Sequence, residues 1–252
     1  MPAERVNFES KSGHKLAGLL DLPDDKEASV FALFAHCFTC GKNLKPIVNI
    51  NKTLAEYGIG VLRFDFTGIG DSQGDFSETN FSSNVEDLEA AAAFLAEYYQ
   101  APALIIGHSM GGAAVLQAAG SIESAKAVIT IAAPSSPDHL SNILEEKRNM
   151  AKSEGAAEVT IGGRTFTLTK EFFDDLEAQK MKETIGNLNL PLLILHSPKD
   201  QTVDMENADE IFQAARQPKS YISLDQIGHL MLDEKDARYV GNLIGTWVQN
   251  YL

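Results

Sequence analysis

One serine in this chain has neighbours that favour nucleophilic chemistry. Ser109 lies at the centre of residues 107–111, GHSMG, which fit the pattern G-x-S-x-G. The apolar segment 103–107 precedes it and the small-residue run 112–119 follows, so we expect the serine on a tight strand-to-helix turn with a strained backbone. Glycines suit the flanking positions because residues two places from the serine have no room for side chains. The pattern predicts a serine nucleophile for acyl transfer.

A serine hydroxyl needs a base to take its proton, and the chain offers six histidines. His229 follows the predicted strand 221–224 and precedes the last predicted helix, which matches the chain order nucleophile, acid, histidine. His14 precedes the nucleophile, and His139 lies in a less regular region. We therefore predict His229 as the base. The remaining three each end a predicted strand, where we expect polar contacts with the backbone or a neighbouring loop: His36, His108 and His196.

The third group of such a triad is a carboxylate that orients the imidazole and stabilises its protonated form. Asp200 follows directly on the apolar segment 191–196, in HSPKDQTVD. Asp204 lies close behind it, and Asp225 is nearer to the histidine. Because the acid should emerge from a loop at the carboxyl end of a strand, we predict Asp200 and interpret the other two as solvated acids.

Two backbone N–H groups are needed to stabilise the developing negative charge of acyl transfer. One should belong to Met110, directly after the nucleophile. The other should come from the loop 35–41, AHCFTCG, that follows an earlier strand. We predict Phe38 as the second donor, with Cys37 as the alternative.

The same loop contains a CxxC pair, Cys37 and Cys40, which are the two cysteines of the chain. Such a pair suits redox or metal chemistry. One pair supplies only two metal ligands and has no partner pair, so we predict no metal site. A thiol role and simple packing of two small residues in the loop both stay open, and two cysteines cannot form a disulfide framework.

The elements that would position these residues alternate between apolar strands and amphipathic helices. Near-continuous apolar strands with helices between them predict a mostly parallel central sheet covered by helices on both faces. The opening segments 5–10 and 15–22 predict a hairpin. The predicted strands are 30–35, 60–66, 103–107, 127–132, 191–196 and 221–224, and the predicted helices are 43–57, 81–99, 110–119, 206–215 and 237–251.

The alternation breaks between about residues 134 and 189. Within this segment, 159–168 predicts a hairpin that turns at Gly162-Gly163, and 171–181 predicts a helix. We interpret the segment as a small cap inserted into a single domain that spans residues 1–252.

The composition excludes some partners. The chain has 252 residues, 44% of them hydrophobic, and a formal net charge of −14. So acidic a surface disfavours nucleic acid and anionic membranes as partners. No apolar stretch reaches membrane-spanning length, and residues 1–5 lack the basic start of a secretory signal, so we expect a soluble, cytoplasmic protein with a small-molecule substrate.

These motifs, taken in order, resemble those of serine hydrolases of the α/β-hydrolase fold over nearly the whole chain. The matching segments are AHCFTCGKN, RFDFTGIGDSQG, GHSMGG, HSPKDQTV and IGHLML. The chain looks most like bacterial hydrolases sometimes fused to an OsmC-like domain, and is similar more distantly to cinnamoyl esterases and monoacylglycerol lipases. The resemblance implies carboxylic ester hydrolysis without a cofactor, and a cap at 134–189 that shapes the substrate pocket. One position departs from the family: relatives usually carry glycine after the histidine of the oxyanion loop, where this chain has Cys37.

We therefore expect a serine carboxylesterase that cleaves soluble short-chain esters through an acyl-enzyme on Ser109. A thioesterase, a lactonase or an acyltransferase would use the same triad. A non-catalytic binding protein and a CxxC thiol redox protein are the alternatives of another class.

Overall fold

The computed structural model describes residues 3–24 and 27–252; Met1, Pro2, Asp25 and Lys26 of the predicted domain lie outside the described residues. The strands are β1 (Glu4–Glu9), β2 (Lys15–Asp21), β3 (Val30–Ala35), β4 (Ile59–Phe64), β5 (Leu104–His108), β6 (Ala127–Ile131), β7 (Ala156–Ile161), β8 (Arg164–Thr169), β9 (Leu192–His196) and β10 (Lys219–Ser223). The helices are α1 (Lys45–Glu56), α2 (Phe81–Tyr98), α3 (Met110–Ala118), α4 (His139–Ile143), α5 (Glu145–Glu154), α6 (Lys170–Ala178), α7 (Met181–Gly186), α8 (Glu206–Ala214) and α9 (Glu234–Val248).

Eight strands form the central sheet, in the order β1-β2-β4-β3-β5-β6-β9-β10. The first two strands pair antiparallel, as the predicted opening hairpin requires, and β2 also pairs antiparallel with β4. All other neighbours in this sheet run parallel. Parallel neighbours need long crossover connections, and helices supply them here. The predicted fold class, a mostly parallel sheet with helices on both faces, is confirmed.

The central strands are apolar throughout because both faces of the sheet are covered. In β3, Phe31, Leu33 and Ala35 belong to one core, whereas Val30, Ala32 and Phe34 belong to the other. Helices α1 and α9 pack together over the second core, and α2 and α3 cover the first. In the described ranges, no helix has both the length and the apolar character needed to cross a membrane.

The segment between β6 and β9 contains a separate two-stranded sheet. Strands β7 and β8 pair antiparallel and turn at Gly162 and Gly163, whose φ angles are 58° and 77°. Positive φ is readily adopted by glycine, so the Gly-Gly pair explains the predicted position of this turn. Helix α7, at the end of the segment, packs against α3 and α8 of the main body.

Two features of this segment differ from the predicted elements. Helices α4 and α5 were not predicted. Helix α4 has only 5 residues, and α5, EEKRNMAKSE, buries only Ala151 and carries no apolar stripe. The predicted helix 171–181 is two helices, with a break between Ala178 and Met181 where Gln179 takes an extended conformation.

Candidate active site

Ser109 lies between β5 and α3 in a conformation that few residues other than glycine adopt. Its φ and ψ are 55° and −127°, and its N–H donates to the carbonyl of Ile131 over 2.9 Å. A side chain at Gly107 would place its Cβ 2.7 Å from Cα of Gly112, and one at Gly111 would come within 2.5 Å of the carbonyl oxygen of Ala35. The strained turn predicted from the sequence is therefore present, and both glycines are required by close packing.

The structure brings Ser109, His229 and Asp200 into one chain of hydrogen bonds. The hydroxyl of Ser109 lies 3.1 Å from Nε2 of His229, and Nδ1 of His229 lies 2.7 Å from Oδ2 of Asp200. A carboxylate only accepts, so Nδ1 carries the proton and Nε2 has the lone pair that faces the serine. This arrangement can take the proton of the serine hydroxyl during attack on an acyl carbon.

The other carboxyl oxygen of Asp200 is bound by its own loop. Oδ1 accepts the N–H groups of Thr202 and Val203 over 2.8 and 2.9 Å. Burial alone would raise the pKa of Asp200, but the hydrogen bonds from His229 and from these two amides outweigh it and lower that pKa below its usual value. Asp200 is therefore a carboxylate at neutral pH.

The two alternative acids lie in other surroundings. Asp204 accepts the N–H of Glu206 over 3.2 Å, and Asp225 accepts the hydroxyl of Ser223 over 2.5 Å. Both are exposed, and no bond joins either of them to His229. Of the three candidates, the structure places only Asp200 against the imidazole.

Three buried histidines at strand ends hold the loops that surround Ser109. Each donates one ring N–H to a backbone carbonyl over 2.8 Å, which confirms the expected contacts with neighbouring loops. Burial lowers the pKa of all three, that of His108 to about 3, so their rings are neutral. The pairs are His36 with Cys37, His108 with His229, and His196 with Val203.

The loop after β3 is closed by a disulfide between Cys37 and Cys40, whose Cα atoms are 5.3 Å apart. The N–H of Cys40 also donates to the carbonyl of Cys37 over 3.1 Å, which makes residues 37–40 a turn. Positive φ occurs at Thr39, at 59°, and not at Cys37. The replacement of glycine by Cys37 therefore does not strain the backbone at that position.

The two predicted oxyanion donors line one small cavity, of about 20 Å³. Phe38 contributes from the disulfide-closed turn and Met110 from the first position of α3, where a helix leaves its N–H groups without an intrahelical acceptor. Among the described residues, no acceptor binds the N–H of Phe38 or of Met110. The other lining residues are His36, Cys37, Thr39, Phe66, Ile69, Phe76, Asn84, Gly111 and Ala114.

A buried ionic cluster anchors the far end of the same loop. The N–H of Lys42 donates to Oδ1 of Asp65 over 2.7 Å, and the ammonium of Lys42 pairs with the other oxygen. Arg63 donates to the carbonyl of Lys42 over 2.5 Å and pairs with Asp21 over 2.6 Å. This cluster could not be predicted from the sequence, where its one local mark is a charged residue in an apolar strand, Arg63 in β4.

Arg164, at the start of β8, connects the inserted segment to the loop. Its guanidinium donates to the carbonyl oxygen of Thr39 and lies 5.4 Å from the ring centre of Phe166. This residue could not be predicted from the sequence, because an arginine beside a Gly-Gly turn is usually solvated. The contact ties the inserted hairpin to the turn that contains Phe38.

The chain is similar to known hydrolases in sequence and in fold. A family model described as serine aminopeptidase, S33, matches residues 41–153. The crystal structure of an esterase domain from a Rhodothermus marinus protein is 46% identical and superposes with a TM-score of 0.81 over 100% of this chain and 99% of that one.

Two more distant proteins are similar over most of this chain. Est1E from Butyrivibrio proteoclasticus, solved with ferulic acid, is 20% identical, with a TM-score of 0.80 over 98% of both chains. The uncharacterized protein YfhR of Escherichia coli is 21% identical over 90% of this chain and 74% of its own length. Because the Rhodothermus domain matches along its whole length at 46% identity, this chain belongs with it to the family of α/β-hydrolase-fold hydrolases.

Proposed function

We propose that this protein is a serine esterase that cleaves carboxylic esters through an acyl-enzyme on Ser109. The observation that carries the proposal is the hydrogen-bonded chain from Ser109 through His229 to Asp200, with distances of 3.1 and 2.7 Å. Each member comes from a different loop at the carboxyl ends of β5, β9 and β10, so the fold assembles the three residues in one place.

In the first half-reaction, the hydroxyl oxygen of Ser109 attacks the ester carbonyl carbon while Nε2 of His229 takes the hydroxyl proton. Asp200 stabilises the resulting imidazolium through its bond to Nδ1. The N–H groups of Phe38 and Met110 receive the oxyanion of the tetrahedral intermediate. His229 then protonates the leaving alcohol, which departs and leaves an acyl ester on Ser109.

In the second half-reaction, water replaces the alcohol. His229, again neutral, takes a proton from water as its oxygen attacks the acyl carbon. Collapse of the second tetrahedral intermediate returns the proton from His229 to Ser109 and releases the carboxylic acid. No atom outside the ester, water, these side chains and the two backbone N–H groups is needed for the cycle, so the proposed reaction uses no cofactor.

The small cavity beside the oxyanion donors favours short acyl groups. His229 protonates the alcohol, so the alcohol lies on the side of His229, and the acyl group lies towards the cavity that Phe38 and Met110 line. A cavity of about 20 Å³ holds little more than one water-sized group. We therefore propose soluble esters of short acids, with acetyl preferred and kcat/KM falling towards hexanoyl, whose chain is larger than this cavity.

A substrate panel tests this function. p-Nitrophenyl acetate, hexanoate and dodecanoate would be compared with methyl ferulate, an acetyl thioester, a small lactone and an aminoacyl arylamide. We expect the highest kcat/KM for acetate, and no turnover of any ester above background in Ser109→Ala. A higher kcat/KM for the arylamide would instead support a peptidase, the activity for which the matching family is named. A higher kcat/KM for the thioester or the lactone would show that the protein is a thioesterase or a lactonase.

A further inference from the structure

The disulfide between Cys37 and Cys40 lies next to the peptide group that would supply one oxyanion donor. The carbonyl of Cys37 and the N–H of Phe38 belong to the same peptide, and in a trans peptide they point in opposite directions. The carbonyl accepts Nδ1–H of His36 over 2.8 Å and the N–H of Cys40 over 3.1 Å. These two bonds therefore set the direction of the Phe38 N–H.

The hydrogen bond from the Cys40 N–H to the Cys37 carbonyl requires a turn in which Thr39 has an unfavourable backbone conformation. Thr39 is β-branched and has a φ of 59°, in the left-handed region that side chains of this type avoid. The anchors at the two ends of the loop, His36 and the Lys42–Asp65 pair, do not bind Thr39. Its conformation is held by the Cys40 turn bond, by Arg164 on its carbonyl, and by the disulfide that closes residues 37–40.

The two sulfur-bearing residues differ in their access to solvent. Cys37 is 5% exposed, whereas Cys40 is half-buried. An external thiolate would therefore attack Sγ of Cys40, form a mixed disulfide with it, and release Cys37 as a thiolate that takes up a proton. With a dithiol reductant, its second thiol then closes on its own mixed disulfide, which frees Cys40 and leaves the reagent as a cyclic disulfide. Two electrons and two protons pass to the protein.

We propose that Cys37 and Cys40 are positioning residues, a reversible disulfide pair that holds the Phe38 N–H in the oxyanion hole, so that a dithiol lowers ester hydrolysis and reoxidation restores it. The inference rests on the proposed esterase function. Without the disulfide, only Arg164 and the Cys40 turn bond hold Thr39 against its unfavourable φ. Thr39 can then leave its left-handed conformation, which breaks the turn bond and lets the Cys37–Phe38 peptide rotate. The catalytic groups Ser109, His229 and Asp200 stay in place, because none of them lies in this loop.

The test uses the full chain in both redox states, with the state of each sample verified by alkylation and mass spectrometry. Hydrolysis of p-nitrophenyl acetate would be measured before treatment with dithiothreitol, after it, and after reoxidation with oxidised glutathione. We expect reduction to lower kcat roughly tenfold with little change in KM, short of the ~10²–10³ loss that follows removal of one whole oxyanion donor. Reoxidation should restore the rate. The double variant Cys37→Ser with Cys40→Ser should have the kcat of the reduced enzyme, and dithiothreitol should not change it.

A second readout separates positioning from general loosening of the fold. The probe is a boronic acid that forms a tetrahedral adduct with Ser109. On reduction, its affinity should fall by the same factor as kcat/KM, while the melting temperature of the protein changes by only a few degrees.

Equal kcat in the verified oxidised and reduced states would overturn the inference, as would a faster reduced enzyme. If the double serine variant does not fold, the comparison of kcat before and after chemical reduction of the natural chain is sufficient to test the inference. An oxidised enzyme that neither hydrolyses esters nor reacts at Ser109 with a fluorophosphonate would instead refute the proposed function, and the inference with it.

Discussion

The imidazole of His108 donates a hydrogen bond from Nε2 to the backbone carbonyl of His229 over 2.8 Å, and the two rings lie 5.0 Å apart. His108 directly precedes Ser109, so the residue beside the proposed nucleophile also fixes the main chain of the proposed base. The ring of His108 is 1% exposed, and burial lowers its pKa to about 3. It is therefore a neutral donor at neutral pH, and we expect it to position His229.

Replacement of His108 by phenylalanine should misplace His229. The ring volume is kept, but the carbonyl of His229 loses its donor, which costs about 1–3 kcal/mol of stability for a buried unpaired group. We expect kcat/KM to fall by roughly tenfold to a hundredfold, since misplacement of a catalytic group by about 1 Å can cost ~10²-fold. His108→Gln, which can supply an N–H at similar reach, should recover much of the loss. Equal activity in His108→Phe and His14→Phe, a half-buried histidine of the opening hairpin, would contradict the positioning role.

Asp200→Asn should be far more damaging than the same change at Asp204 or Asp225. An amide at position 200 can present its NH₂ to His229 and favour the wrong imidazole tautomer, which in a triad costs about 10⁴-fold in kcat. The other two acids do not contact the imidazole, so their asparagine variants should stay within about threefold of the natural enzyme. Steady-state kinetics on p-nitrophenyl acetate compare the three; the assignment of the acid is wrong if Asp225→Asn has the largest effect.

Asp87 should make the protein less stable as pH rises. This residue of α2 is 2% exposed and accepts the N–H and the hydroxyl of Thr67 over 2.8 and 3.0 Å. Burial raises its pKa to about 6, against the partly offsetting effect of those bonds. A carboxyl whose folded pKa lies above its unfolded value of about 3.9 stabilises the fold fully below pH ~4, and this contribution is lost as pH rises through about 6.

Asp87→Asn removes that dependence while it keeps the shape of the side chain. Relative to the natural chain, the variant should gain roughly 3 kcal/mol between pH 4 and pH 7.5, at about 1.4 kcal/mol per pKa unit. Urea unfolding at both pH values measures the difference. Asp174→Asn, at an exposed position of α6, is the matched control and should show no such change. A difference that is the same at both pH values would contradict the raised pKa.

Phe76 should limit the length of the acyl group. Its ring closes one side of the small cavity and lies 5.9 Å from the ring of Phe38 and 4.8 Å from that of Phe166. Phe76→Ala opens this side, so each added methylene can gain up to about 0.8 kcal/mol of burial. We expect kcat/KM for hexanoate relative to acetate to rise by about tenfold, which corresponds to two extra buried methylenes. Tyr98→Ala, an exposed aromatic position, should leave the ratio unchanged, and an unchanged ratio in Phe76→Ala would show that the acyl chain lies elsewhere.

The sheet could be predicted from the sequence because each strand has a recognisable pattern within its own residues. Strands such as β3 are short apolar runs between turn residues, and Gly162-Gly163 marks its own hairpin. Helix α5 has no apolar face and was missed for that reason. The short break between α6 and α7, at Gln179 and Lys180, also leaves no clear mark, since Phe172, Phe173 and Leu176 continue the expected stripe up to it.

In the candidate site, too, some residues could be predicted from the sequence and others could not. Ser109, His229 and Asp200 could be proposed because chain order and strand ends restrict where they meet, and the structure places them together. The contacts that hold the oxyanion loop could not be predicted, because they join distant segments: Asp65 with Lys42, and Arg164 with Thr39. Their geometry depends on tertiary packing, which leaves no local pattern.

Covalent labelling of Ser109 tests the central claim most directly. The native protein would be treated with a fluorophosphonate, digested, and examined by mass spectrometry, with Ser109→Ala as the control and hydrolysis of p-nitrophenyl acetate followed in parallel. We expect one adduct per chain, on Ser109, with loss of activity in proportion to labelling, and at least a ~10³-fold loss of turnover in Ser109→Ala. Turnover in Ser109→Ala equal to that of the natural enzyme, or labelling at another residue with full loss of activity, would contradict a serine nucleophile at this position.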